Sequence, residues 1–482
     1  MENKKAILKN NFKSLFKKKS VKQINLKVLQ NNKLKKSLSL LQIVSLGIGV
    51  IVGAGIFVLT GIAASMHAGP AITLSFALSG VVCICAGLCY AEFASMLKTS
   101  GSSYSYIYVT FGRFPAWIIG SISAIGYFLG AVSVAVGWSG YFIDILNTFN
   151  FNISQKFTSP TGTKYMLDNK HFYSYLDLPA FAISLISAFI LYRGISLSSI
   201  ITTISVIIKL SVLLCFVSIG IFYIDINNWI PYIPENQGKF GKYGYSGIIA
   251  GVSMVFLAFN GFDSICTSAQ EVKNPRKNIP LGIIITIILV TIIYIVTSAV
   301  MTGLISYKQL NAPQALALAV NNIGLPWLNY IVKFGALAGL SSVIIVSQYT
   351  VTRILLSMSE DKLLPNIFTK IHSKNQIPHI ITIIIGLSMA ILAATTNLHN
   401  VVKLSSFFII ITVISICLAT IIMRYTKSKL IRGFYCPLMP IPPIIAIILS
   451  LYIIYSYPIQ IYLNAIIILI ILAVIYFLKK HE

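Results

Sequence analysis

Acidic residues are scarce in this chain: 12 Asp and Glu stand against 37 Lys and Arg in 482 residues, a formal charge of +25. Charge of either sign is thin as well, at 10% of residues, while 56% are hydrophobic. A chain with so little polar surface to offer water is excluded from the soluble globular class. Cysteine is sparse, with seven residues nearly all inside apolar runs, and six histidines are scattered among them. Cys85 and Cys89 share a helix face, but no histidine stands near them in sequence, so they read as small packing residues. A disulfide framework and a zinc or redox site are thereby excluded. A nucleotide-binding loop, a nucleophile with a base beside it and a metal-ligand cluster are all lacking, so neither an enzyme nor a bound cofactor or metal is expected. No cleavable signal peptide is expected, because a long basic segment precedes the first apolar run.

What the sequence has in abundance is long apolar runs. Stretches near the ~20 residues needed to cross a bilayer lie at 42–62, 70–96, 114–146, 178–192, 198–222, 246–268, 279–304, 328–357, 378–396, 400–423, 440–457 and 459–478. This predicts an all-α polytopic membrane protein of about twelve spans, with both termini on one side. Residues 1–38 form a basic tail expected to be disordered, and 39–482 the membrane domain. The first 36 residues hold twelve lysines and one acid, Glu2, and the even-numbered spans lead into further basic residues such as Arg113, Arg193, Lys273, Arg276, Lys370 and Arg424. By the positive-inside rule these face the cytoplasm, which places both termini there, in an inner or plasma membrane. Opposite loops such as "NTFNFNISQKFTSPTGTKYMLDNKHFYSY" are longer and nearly charge-balanced. Because the excess positive charge sits in the tail and on juxtamembrane loops, anionic lipid is its expected partner rather than nucleic acid. The oligomeric state stays open.

Two spans carry residues that weaken a helix where regularity matters most. Span one contains "IGVIVGAGIF", with Gly49, Gly53 and Gly55, and span six contains Asn260, Gly261 and Asp263 within "IIAGVSMVFLAFNGFDSICTS". A bilayer core has no water for unpaired backbone groups, so an unwound stretch survives only where protein or a cavity satisfies it. A small-residue packing face explains the first cluster alone. Breaks at corresponding places in two halves, 42–222 and 246–423, instead indicate an inverted-repeat secondary transporter with its site near the midplane. A half-helix N-terminus suits a carboxylate and opposed carbonyls suit an ammonium, the two groups of an α-amino acid.

The segments "GVIVGAGIFVLTG", "AGPAITLSFALSG", "AGLCYAEFASMLKTSGSSYSYIYVTFG", "VAVGWSGYF", "AFNGFDSICTSAQEVKNPRKNIPLGI" and "RILLSMSEDKLLP" occur in this order. On them the chain resembles the cationic amino acid transporter family of the amino acid, polyamine and organocation superfamily. The resemblance implies a leucine-transporter-type fold, two inverted five-helix repeats (spans one to five and six to ten) plus two C-terminal helices at about 440–478. It implies that amides of Ala54, Gly55 and Ile56 take the substrate carboxylate, that carbonyls of Ile51, Leu257, Ala258 and Asn260 take the ammonium, and that Gly53 frees the unwound backbone. Many relatives have an aromatic gate where Leu257 stands and an aliphatic residue where Asn260 stands. Phe256 or Phe259 is then the candidate gate, or gating is looser, and the pocket is more polar. A glutamate of some bacterial relatives aligns with Gly126, and a small residue at Ser347 resembles members that accept larger or cationic side chains.

Lys209 lies about eleven residues from either end of its apolar run. An unpaired charge at that depth costs roughly 2.5–3.5 kcal/mol on insertion scales, which marks it as functional unless it is bonded for structure. One reading has its ammonium pinning spans one, five and eight through their carbonyls. The other makes it a proton carrier, and the resemblance favours this: in proton-coupled relatives a matching lysine stands in for a sodium ion. Ser341 and Ser342 are alternative sodium ligands, although an adjacent ammonium would repel that ion. Glu92 is assigned a helix-pairing role and Asp263 a cap on the second half of span six, with a gate role as the alternative. Pro275, Pro280 and Pro365 are expected to set helix ends. The expected activity is secondary transport by alternating access, with proton-coupled uptake of cationic or a broad range of amino acids. The alternatives are an amino acid or polyamine exchanger or uniporter on the same fold and, from another class, a sensor that binds without net transport.

Overall fold

The computed structural model describes residues 15–24, 39–97, 99, 101–151, 153–167, 170–267, 269, 272–312, 314–373, 375, 377–396 and 398–479. Eight runs are long and apolar enough to cross a membrane; the first, Leu40–Met96, contains two crossings, and the shorter helices Leu178–Tyr192, His379–Thr395 and Ile441–Tyr455 complete twelve among the described residues. Span one starts at a capping box, where Ser39 N donates to Gln42 Oε1 (2.8 Å) and Gln42 N to Ser39 Oγ. Its first half, Leu40–Ile51, ends in extended backbone at Val52, and its second half runs Gly55–Ala68 through two π-helical turns. Span six repeats the device: Gly244–Val255 tightens into a 3-10 turn at Phe256–Phe259, breaks, and resumes at Ser264–Thr267.

The helix interfaces follow the repeat. Span two (Ile72–Met96) packs on span seven (Pro275–Leu304), span three (Arg113–Thr148) on span eight (Pro326–Glu360), and span four (Leu178–Tyr192) on span nine (His379–Thr395). Spans two, three and four therefore each meet their counterpart from the other half, and the two broken spans meet at the centre. Span five (Ile195–Gly220) lies on span eight, and span ten (Leu398–Thr426) on span three. Span eleven (Ile441–Tyr455) covers spans two and ten, and span twelve (Ile459–Lys479) covers spans three and ten.

Two helices go unrecognised in the hydropathy pattern, Ser102–Thr110 and Ala315–Asn322. Both are too short and too mixed in polarity to read as spans. The first is buried throughout and ties span three to span ten, and the second packs on the second half of span one. In the long loop after span three, 164–167 and 170–173 pair as an antiparallel hairpin. Pro275 stands in the first turn of span seven, as expected, but Pro280 falls inside that helix rather than at its end. The span starts earlier than hydropathy suggests because "PRKN" is polar but helical.

On the basic face, Glu92 is fully buried and lies 2.9 Å from both Arg424 Nη2 and Arg432 Nε, and its Oε2 also accepts from Cys436 N (2.9 Å). This carboxylate joins span two to span ten and to the following loop, so its helix-pairing assignment has a concrete form. Of the tail, the described residues 15–24 sit against this same face. Leu15 is buried, and Lys19 pairs with Asp361 and lies over the Tyr108 ring. Removing one partner of a buried ion cluster leaves the others uncompensated. Glu92→Ala is expected to destabilise the protein by about 3–5 kcal/mol, read as a lower melting temperature in detergent. An unchanged melting curve would contradict this.

Candidate transport site at the two helix breaks

The glycines of span one are explained by how closely the broken spans approach. A Cβ on Gly55 would lie 2.0 Å from Ala258 Cβ and 2.5 Å from Ala258 Cα, so the two segments touch backbone to backbone. Gly261 adopts φ +117°, which side chains avoid, and a Cβ there would lie 2.2 Å from Val50 Cγ1. Gly53 lies between these contacts, against Val343 of span eight. The second half of span one winds from Gly53, whose carbonyl accepts from Ile56 N and Phe57 N (both 3.2 Å), so the amides of Gly53, Ala54 and Gly55 stand ahead of its first intrahelical bond. Three N–H groups at the start of a half-helix present partial positive charge and suit an anion.

The carbonyls around the break are taken by side chains of neighbouring spans and by Thr60 of span one itself. Lys209, fully buried, donates from Nζ to Gly49 O (2.5 Å), Val52 O (2.5 Å) and Ser342 Oγ (3.1 Å). Tyr294 of span seven donates its hydroxyl between Ile51 O (2.7 Å) and Ala258 O (2.9 Å), bridging the two breaks. Tyr141 of span three donates to Phe57 O (2.7 Å), and Thr60 Oγ1 to Gly55 O (2.8 Å). Ser341 accepts from Trp138 Nε1 (2.9 Å) and donates to Leu337 O (2.7 Å), away from Lys209 and its acceptors. The arrangement is two opposed broken helices with half-helix amides on one side, shared carbonyls on the other and an ammonium behind them.

Comparison with known proteins decides what this arrangement belongs to. The model of the amino acid permease family matches residues 38–479. The chain belongs to that family. It is a membrane transporter of the amino acid, polyamine and organocation superfamily, not an enzyme. It is 35% identical over 472 residues to a branched-chain amino acid permease of Bacillus subtilis, covering 97% of this chain and 98% of the relative. A methylthioribose transporter of the same organism is 34% identical over 471 residues, 97% and 99% of the two chains. The mouse cationic amino acid transporter 4 is 33% identical over 396 residues, 82% of this permease and 61% of the relative.

The remaining candidate residues of the permease fall into two groups. Leu257 and Asn260 face span three: from the point a Cβ would occupy on Gly130, Leu257 Cδ1 is 3.8 Å away and Asn260 Nδ2 3.4 Å. Ser347 is buried on span eight. Phe256 and Phe259 are both fully buried, and Phe259 is held in an aromatic cluster with Phe76 and Tyr294 between spans two and seven. At Gly126 a Cβ would meet Ile409 Cγ1 at 3.1 Å, so span ten lies where a glutamate side chain would need room. Asp263 stands immediately before the resumed helix Ser264–Thr267; its Oδ1 accepts the Tyr127 hydroxyl of span three, and its backbone carbonyl accepts from Ser102 Oγ (3.3 Å).

Tyr294 and Tyr141 escape sequence reasoning because a tyrosine in an apolar run gives no sign of which carbonyl it reaches. The detectable signal is a phenol hydroxyl inside an apolar span, since a buried phenol needs a partner. Tyr294→Phe leaves the Ile51 and Ala258 carbonyls without this donor and is expected to cost about 1–3 kcal/mol, measured by thermal unfolding in detergent. Gly55→Ala forces the broken spans apart, with about 1–3 kcal/mol of overpacking strain. Transport in proteoliposomes should fall sharply, and adding Ala258→Gly should recover part of it; full transport by the single variant would contradict the close approach.

Proposed function

We propose that this permease imports amino acids by alternating access, coupled to protons through Lys209, with both termini in the cytoplasm. The observation that carries this reading is the meeting of the two breaks. The amides at 53–55 lie on one side, and the carbonyls of Ile51 and Ala258 lie within reach of a single hydroxyl on the other. A carboxylate and an ammonium separated by one carbon match such a pair of helix ends. Recognition through backbone groups reads what all amino acids share, which favours a broad range of substrates.

Lys209 supplies the coupling. Its ammonium has three hydrogens for three acceptors, Gly49 O, Val52 O and Ser342 Oγ. A neutral amine has two, so losing the proton frees one acceptor and releases part of the tie that holds the first half of span one to spans five and eight. Burial opposes the charged form and the bonds oppose its loss, so the balance shifts with the position of span one. Orientation rests on the basic residues that follow the even-numbered spans.

The test is uptake of labelled arginine, lysine, leucine and alanine into proteoliposomes under an imposed inward proton gradient, with the native protein and Lys209→Ala. Uptake that rises with the gradient in the native protein and loses that dependence in the variant is the expected result. Gradient-independent uptake by both would leave a uniporter or exchanger with a structural lysine.

A further inference from the structure

Spans eleven and twelve stand outside the two repeats, yet the turn between them reaches one half of the broken span six. Tyr457, in the turn that joins Ile441–Tyr455 to Ile459–Lys479, is 5% exposed and donates its hydroxyl to Ser253 O (3.1 Å). Ser253 is third from the end of Gly244–Val255, the half of span six that lies away from the basic face. The last carbonyls of a helix fall outside its own ladder. A phenol from another span reaches one of them here, as the Tyr294 hydroxyl reaches Ala258 O.

The ring is held as firmly as the hydroxyl. Phe407 of span ten meets Tyr457 edge to face with centroids 5.7 Å apart, and Tyr462 packs on the same Phe407 at 5.4 Å. The Tyr462 hydroxyl donates to Ile454 O (2.6 Å), which closes the turn on itself. Ser406, the residue before Phe407, is fully buried and neighbours the Tyr457 hydroxyl. Ser405 in turn donates to Gly126 O of span three (2.7 Å). A continuous path of contacts therefore runs from span three through span ten and Tyr457 to the outer half of span six.

A break within a helix supplies a hinge on which its halves tilt separately. Tyr457 ties the outer half alone, and it ties it to span ten, which lies on span three. When bonded, the hydroxyl keeps that half against the wall made by spans three and ten, so the outer side is closed. Without the hydroxyl the balance moves towards the state open to the outside.

We propose that Tyr457 is a positioning residue for transport, a tether through which the two C-terminal helices hold the outer half of span six closed and set the balance between outward-open and inward-open states. This rests on the transport and orientation readings above.

The experiment measures KM and kcat for labelled arginine, lysine, leucine and alanine from each side, in right-side-out and inside-out membrane vesicles corrected for vesicles without the protein. The native protein is compared with Tyr457→Phe and Phe407→Leu. A shift in a two-state balance changes the apparent affinities on the two sides in opposite directions. In Tyr457→Phe the outer KM should fall relative to the inner KM by roughly three- to tenfold, the worth of one hydrogen bond. Phe407→Leu loosens the same packing but keeps the hydroxyl, and should leave that ratio near the native value. Tyr457→Phe decides by itself should Phe407→Leu fail to fold. An unchanged ratio in Tyr457→Phe, loss of flux from both sides alike, or an equal shift in Phe407→Leu would overturn the tether and leave the transport reading intact. Absence of transport of every amino acid by the native protein would remove the transport reading, and this inference with it.

Discussion

A peptide group without a partner cannot survive in a bilayer, and the centre of this molecule is organised around that constraint. Breaking two helices at the midplane frees several carbonyls at once. Span three supplies Tyr141, span five Lys209, span seven Tyr294 and span eight Ser342, and each reaches a carbonyl of span one. Four separate helices are therefore committed to one unwound segment. Their side chains supply the donors that keep that segment's carbonyls satisfied.

The same requirement separates two kinds of polar residue. Those that close the ledger of backbone groups, such as Tyr141 and Lys209, have all their bonding capacity turned inward. Those that face the span-three side, Asn260 above all, do not. Charged residues are sorted likewise. Glu92 with its two arginines lies at the basic face, and Lys333 pairs with Asp144 (2.9 Å) at the opposite ends of spans eight and three. Lys209 is held by two backbone carbonyls and a serine hydroxyl, with no carboxylate bonded to it among the described residues.

The fold was legible in the sequence because apolar length and glycine position are both local properties. The run at 42–62 and the glycines at 53 and 55 needed no knowledge of what lay opposite. Lys209 was conspicuous for the same reason, a cation deep in an apolar run. What stayed hidden depends on contacts between distant segments. Tyr294 looks like any aromatic in a span until its hydroxyl is seen between two carbonyls. Asp263, three residues after Asn260, has the spacing of a cap, but its bond to a tyrosine of span three has no local sign. The buried helix Ser102–Thr110 has too little hydropathy and too few residues to be noticed, although it ties span three to span ten.

The docking of residues 15–24 has a mechanical consequence. Lys19 is joined to Asp361, which also receives the Tyr104 hydroxyl (2.9 Å), so the segment ahead of span one is moored to the end of span eight and to a buried cross-helix. The end of span eight thus carries a contact from the chain ahead of span one that is separate from the capping box at Ser39.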